Sequence, residues 1–122
     1  MKERQQFKAW LLKYTPNVAT ETFVVIGVLA ENETGTFAKT QFLDNWYPVI
    51  AMDSEVDVEY LDGLKGEIER AWVNLRERRR LLKLMEDSFS NTIQISPALA
   101  VTATDPHREF DNLARLNLQP SR

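Results

Sequence analysis

The pattern of apolar and polar residues in the first third of the chain predicts three β-strands. Residues 22–29 are apolar at successive positions and rich in β-branched side chains, as in a strand buried on both faces. Residues 7–14 carry bulky side chains typical of another strand. Thr15-Pro16-Asn17 is expected to end it, because proline fixes φ and asparagine favours turns. A turn over residues 31–35 leads into a third strand over residues 36–43.

The spacing of apolar residues then changes to that of α-helices. Ser54 and Asp57 have the spacing of a capping box and predict a helix start. Asn74 and Glu77 have a similar spacing, which predicts either two consecutive helices or one long helix with a kink near Asn74. The apolar residues that recur every three or four positions are expected to form the buried face: Val56, Tyr60, Leu64, Ile68, Ala71 and Leu75, continued by Leu82, Met85 and Phe89.

The last third of the chain is predicted to add extended segments and a final helix. Residues 91–96 alternate as in a strand, Pro97 interrupts them, and residues 98–102 resume the extended structure. Asp105 is the expected N-cap of a helix over residues 106–116, because Pro106 suits its first position. Its buried residues are predicted to be Phe110, Leu113 and Ala114.

These elements predict a single α+β domain over residues 1–122. The expected sheet is mainly antiparallel, with three N-terminal strands plus one or two later ones and two to three helices packed on one face. Within the sheet, Gly27 indicates a bulge or a close backbone approach. In the first helix, Gly63 and Gly66 each weaken the helix by roughly 1 kcal/mol relative to alanine, and indicate either close packing or a frayed start.

Composition supports one globular domain in the cytoplasm. The chain has 122 residues, of which 43% are hydrophobic and 27% charged. It contains no cysteine, which excludes disulfides, thiolate nucleophiles and cysteine-based zinc sites. The longest apolar run, residues 23–30, is too short to span a membrane, and we expect no signal peptide.

Charge is unevenly distributed, although the net charge is only −3. Residues 44–62 contain six acids and no base, whereas residues 65–83 contain seven bases and three acids. The two segments can pair within the fold or present two charged faces to partners. Internal pairing is the commoner arrangement.

Candidate catalytic and metal-binding chemistry is sparse. The single histidine, His107, is expected to be an exposed residue in the first turn of the last helix. Asp53, Glu55 and Asp57 alternate as in a calcium loop, but Val58 and Leu64 replace the required glycine and glutamate. We therefore predict no catalytic residues, no metal ligands, no cofactor and no enzyme activity. A carboxylate-dependent hydrolase or nuclease stays open as an alternative.

Two sets of residues are candidates for binding a partner. On a helix, the basic side chains after Asn74 form a stripe that could bind phosphates or an acidic protein, or could pair internally with Glu77 and the acidic segment. Large aromatic residues lie between the third strand and the first helix, where they could anchor a partner or cover the sheet. The candidate residues are Trp46, Tyr47, Arg76, Arg79, Arg80 and Lys83. Trp10 and Trp72 are expected in the core.

Two blocks resemble a bacterial family known as domain of unknown function 3037. Residues 13–16 and 21–29 resemble its opening, a strand ending in Tyr-x-Pro followed by Glu-Phe-Val-Asn-Ile-Gly-Val. Residues 90–97 and 104–106 resemble its Ser-Thr-x-Ile-Gln-x-Ser-Pro and Asp-Asp-Pro ending. The chain departs from this pattern at Thr22, which is inserted, and at Val25, which replaces asparagine.

The resemblance implies a regulatory role more than a chemical one. The family has no assigned enzymatic activity, and its genes often lie beside genes for kinases that resemble the HipA toxin. It implies a protein-interaction or regulatory module that partners such a kinase in a toxin–antitoxin-like or defence system. A nucleic-acid-binding module that uses the arginine stripe is the alternative. A homodimer is a further expectation, since sheet edges can pair.

Overall fold

Over the described residues, 3–17, 22–88 and 92–118, a computed structural model contains five strands and four helices. In chain order they are β1 (Gln5–Asn17), β2 (Thr22–Glu31), β3 (Ala38–Phe42), α1 (Tyr47–Met52), α2 (Val58–Trp72), α3 (Leu75–Ser88), β4 (Ile93–Ile95), β5 (Leu99–Ala103) and α4 (Pro106–Asn117). All strand pairs are antiparallel, so the predicted α+β fold class is confirmed. No helix in these ranges is both long and apolar enough to cross a membrane.

The long strand β1 organises the sheet, whose order is β3-β2-β1-β4, with β5 also paired to β1. β4 pairs with the second half of β1 and β5 with its first half, so the two act as one interrupted strand. At the interruption, the Ser96 amide donates to the Leu11 carbonyl, and the Leu11 amide donates to Ser96 Oγ, both at 2.9 Å. The predicted break at Pro97 is confirmed, although residue 91 of the predicted strand lies outside the described residues.

Two irregularities between β1 and β2 explain a glycine and a proline. Opposite Leu12, β2 carries an extra residue beside Gly27, and a Cβ on Gly27 would lie 2.9 Å from Phe42 Cε1. The predicted bulge is therefore present, and the group that lies close to Gly27 is the Phe42 ring rather than another backbone segment. The prediction that residues 15–17 end the strand is wrong, because β1 runs to Asn17. Pro16 is tolerated there because a second irregularity, between Tyr14 and Asn17, leaves it without a cross-strand partner.

Helices cover both faces of the sheet. Side chains alternate along β1, so Trp10, Leu12 and Tyr14 join the core beneath α1, α2 and α3. Phe7 and Ala9 face the other way and pack with Phe110 and Ala114 of α4. The expectation of helices on one face thus holds for three of the four, and α4 forms a second layer. This layer is what buries the other face of β2.

Helix boundaries follow the capping side chains. The Asp57 carboxylate accepts a hydrogen bond from the Tyr60 amide at 3.1 Å, so Asp57, and not Ser54, caps α2. Asn74 Oδ1 accepts from the Glu77 amide at 3.1 Å, which starts α3 as a separate helix. Of the two arrangements predicted around Asn74, two consecutive helices is the one observed.

The buried face of α2 is shifted from the predicted one. Its buried residues are Leu61, Leu64, Ile68 and Trp72, whereas the predicted Tyr60 is 48% exposed. In α3, the predicted Leu82 and Met85 are buried, and Phe89 lies outside the described residues. Asp105 caps α4 by accepting from the Arg108 amide at 3.2 Å, as predicted.

Candidate functional site

The basic segment of α3 contains a buried arginine. Arg78 is 2% exposed, and its Nε and Nη1 donate, both at 2.5 Å, to Glu31 Oε1 and to the Trp72 carbonyl. Its guanidinium carbon also lies 5.8 Å from the centre of the Trp72 ring. Burying a charge is costly unless it is paired and hydrogen-bonded, so these contacts make Arg78 a structural residue that ties α3 to the end of β2.

Arg78 is absent from the candidate residues named above, although its position relative to the apolar residues of α3 indicates burial. Leu75, Leu82 and Met85 predict the buried stripe of α3, and position 78 falls on that stripe, one turn from each neighbouring member. An arginine on an apolar stripe indicates either a break in the stripe or a buried pair. The structure shows the buried pair.

Arg79 forms a partly exposed ion pair with the same Glu31 carboxylate. Its Nε lies 3.5 Å from Glu31 Oε2, and its Nη2 donates to the Glu33 carbonyl at 2.9 Å. The side chain is 49% exposed, so it borders the solvent while it braces the turn after β2. Glu31 therefore receives two arginines and is the main acidic partner of this segment.

The other three basic candidates are exposed and do not form one uniform surface with Arg79. Arg80 Nη1 lies 3.6 Å from Glu77 Oε2, with both side chains exposed. In residues 3–17, 22–88 and 92–118, Arg76 and Lys83 make no ion pair. The predicted pairing with Glu77 is present, whereas none of the ion pairs in these ranges uses an acid from residues 44–62.

The acidic segment instead supports the fold locally. Asp53 accepts a hydrogen bond from the Tyr14 hydroxyl at 2.7 Å, and burial together with this carboxylate raises the pKa of Tyr14 to about 12. Asp62 accepts from Trp46 Nε1 at 2.7 Å. With Asp57 at the start of α2, three of the six acids have a structural partner.

The two aromatic candidates occupy different environments. Trp46 is 9% exposed and packs in the core beneath the helices, held by its hydrogen bond to Asp62. Tyr47 begins α1 and is 73% exposed. Only Tyr47 is therefore available to a partner, and Trp46 covers the sheet, which is the other role considered for it. Trp10 and Trp72 lie in the core as predicted.

Next to Tyr47, β2, α1 and α4 together form an uncharged depression of about 540 Å³. We call its four larger lining residues, Phe23, Pro48, Met52 and Leu116, the apolar end patch. Three of them are substantially exposed: Phe23 at 46%, Met52 at 37% and Leu116 at 60%. The remaining lining residues are Val24, Val25, Ala51 and Asn117, none of which is charged.

A larger groove, of about 800 Å³, runs between α3 and the β1–β5 part of the sheet. Arg79, Lys83, Glu86 and Asp87 line it from α3, and Ala100 and Thr102 line it from β5. Its helical wall is strongly charged, with bases toward one end and acids toward the other, whereas its β5 side is small and uncharged.

The part of the chain that the structure describes contains no cluster of side chains suited to binding a metal ion. No three His, Cys, Asp or Glu side chains in those ranges are placed to hold a metal ion. His107 is exposed at the start of α4, as expected, and its ring lies 4.9 Å from the Phe37 ring in an edge-to-face contact.

Comparison with known proteins identifies the family. The model of the family described as Protein of unknown function (DUF3037) matches residues 10–117, and the chain belongs to this family. No curated protein and no solved structure matches the chain.

Proposed function

We propose that this member of the DUF3037 family is a non-catalytic protein-interaction module that binds its partner through the apolar end patch and Tyr47. The observation that carries the proposal is the cluster of exposed apolar side chains around a depression whose lining residues are uncharged; the Lys13 ammonium lies 4.5 Å from the centre of the Phe23 ring. Exposed apolar side chains that cluster on a surface can mark interaction sites. Fully burying an exposed apolar side chain contributes roughly 1.5–3 kcal/mol, and these side chains, which are 37–60% exposed, would each contribute part of that.

The family resemblance supplies the candidate partner, a HipA-like kinase of the kind whose genes often lie beside genes of this family. In this proposal the module regulates the kinase within a toxin–antitoxin-like or defence system. Tyr47 takes the anchoring role that was considered for Trp46 and Tyr47 together, because large, amphipathic aromatic side chains are frequent hot spots of binding.

Binding of the purified chain to a purified HipA-like kinase from the same organism tests the proposal. We expect Leu116→Asp to weaken the complex at least tenfold in calorimetry, because it places a charge in the uncharged patch. Leu84→Asp is the matched control, since Leu84 is also a helical leucine, 53% exposed, and does not line the patch. Absence of any complex at about 10 μM, or equal binding by both variants, would overturn the proposal.

We favour a protein partner over nucleic acid because the arginine stripe is interrupted. Arg79 and Arg80 are engaged by glutamates, and Lys83 shares its groove with Glu86 and Asp87. A nucleic-acid complex would weaken steeply with salt, whereas contact through the apolar end patch would change little. The carboxylate hydrolase or nuclease stays a prediction, which an assay with Asp and Glu variants would test.

A further inference from the structure

The outer edge of β5 is open and carries no charge. Within the described residues β5 pairs only with β1, and residues 95–104 contain no charged side chain. Natural sheets usually protect such edges with charges, prolines or covering elements, and among the described residues along this edge only Pro97, before β5 begins, is of this kind. The opposite edge, β3, carries Lys39, which pairs with Asp111 of α4.

The register of β1 determines which backbone groups of β5 are free. The Leu11 carbonyl accepts from the Ser96 amide, and the Thr15 amide donates to the Thr92 carbonyl. The odd-numbered residues of β1 therefore point their amide and carbonyl groups toward β4 and β5. Their partners Leu99, Val101 and Ala103 therefore bond inward. It follows that the backbone groups of Ala100 and Thr102 point outward, along the edge.

We propose that two copies of this chain form a homodimer by antiparallel pairing of their β5 strands about a two-fold axis at Val101. In this register Ala100 lies opposite Thr102 of the second copy, and the outward backbone groups of both strands are satisfied. Val101 lies opposite Val101 of the second copy in a non-hydrogen-bonded pair, where β-branched side chains pack closely. The two sheets become one continuous sheet.

The charges of α3 favour a second copy as the occupant of this edge. Along the groove, α3 is basic at Arg79 and Lys83 and acidic at Glu86 and Asp87. A two-fold axis perpendicular to the sheet keeps both α3 helices on the same face and reverses one relative to the other. The basic part of each groove, at Lys83 and the half-exposed Arg79, then faces the acidic part of the other copy, at Glu86 and Asp87.

This surface is separate from the one proposed for the kinase. β5 pairs with Gln5–Ala9 at the start of β1, whereas Val24 and Val25 of the depression pair with Tyr14 and Lys13 near its end. A dimer through β5 therefore leaves the apolar end patch free on each copy, and the two proposals can fail independently.

Light scattering after size exclusion is the first test. We expect about twice the 14.1 kDa mass of one chain at roughly 100 μM protein. Thr102→Pro removes an outward amide and should give the single-chain mass. Thr40→Pro is the matched control on the edge strand β3, since the β2–β3 register points the Thr40 amide outward as well, and it should stay dimeric. A wild-type monomer, or a dimer that persists in folded Thr102→Pro, would overturn the proposal.

A single-cysteine variant tests the register without disturbing the edge. The chain has no cysteine, so under oxidation Val101→Cys should form an intermolecular disulfide across the two-fold axis. Leu99→Cys should not, because Leu99 lies opposite Ala103 of the second copy in this register. Disulfide formation by Leu99→Cys but not by Val101→Cys would exclude the proposed pairing.

Discussion

Replacing Arg78 tests whether its buried ion pair with Glu31 holds α3 onto the sheet. Arg78→Ala removes two charge-assisted hydrogen bonds, each worth about 1.5–3 kcal/mol, and leaves Glu31 with a side chain only 9% exposed. Breaking a buried pair in this way typically costs about 3–5 kcal/mol. Since Glu31 keeps Arg79 at 3.5 Å, we expect a loss near the lower limit, about 3 kcal/mol in the free energy of unfolding.

Urea unfolding followed by circular dichroism measures this loss as a lower midpoint at an unchanged slope. Arg80→Ala is the control, because its ion pair is exposed on both sides and should contribute about 0–1 kcal/mol. The double variant Arg78→Met with Glu31→Leu should recover most of the stability, since it leaves no unpaired buried charge. Equal losses for Arg78→Ala and Arg80→Ala would refute the assignment of Arg78 as a structural residue.

Three further predictions concern the pH dependence of folding, the glycines and a helix cap. The pKa of Tyr14 is about 12 in the folded state, against 10.0 for a free tyrosine. The free energy of unfolding should therefore fall as the pH rises from 10 toward 12. Tyr14→Phe should reduce this fall in alkaline unfolding experiments. A methyl group in Gly63→Ala meets no atom within 4 Å, so this variant should stabilise the fold by about 1 kcal/mol. Gly27→Ala should destabilise the fold, because its methyl group collides with the Phe42 ring. Thermal melts that rank the two variants in the opposite order would contradict this. Asp105→Ala should cost about 1 kcal/mol by removing the N-cap of α4, and Asp111→Ala, which removes only an exposed ion pair, should cost less in the same melts.

The sequence predicted the strands well where local chemistry decides the outcome. The apolar run of β2, the break at Pro97 and the cap at Asp105 each depend on a few neighbouring residues. Pro16 misled the prediction because tolerance of a proline within a strand depends on the register with β2, which lies in another part of the chain. The short helix α1 was missed although Pro48 in its first turn is a helix-start signal, because its six residues are too few for a periodic pattern.

The candidate sites were harder to predict because exposure is a property of the whole fold. Trp46 and Tyr47 are adjacent and chemically alike, yet one is buried and the other exposed, depending on which faces the sheet. The apolar end patch combines Phe23, Met52 and Leu116, whose distance along the chain hides their proximity. Arg78 shows the converse: its charge is buried because it pairs with Glu31, at the end of another element.

The arrangement of partners around β1 has a consequence for synthesis on the ribosome. The partner of one edge of β1, β2, is complete at Glu31, whereas the partners of its other edge, β4 and β5, are complete only at Ala103. At about 5–20 residues per second, the interval between completion of Glu31 and of Ala103 lasts roughly 4–14 s. Throughout that interval the nascent chain exposes a long, apolar strand edge, so a stalled or truncated product would be prone to aggregate and would depend on chaperones more than the finished protein does.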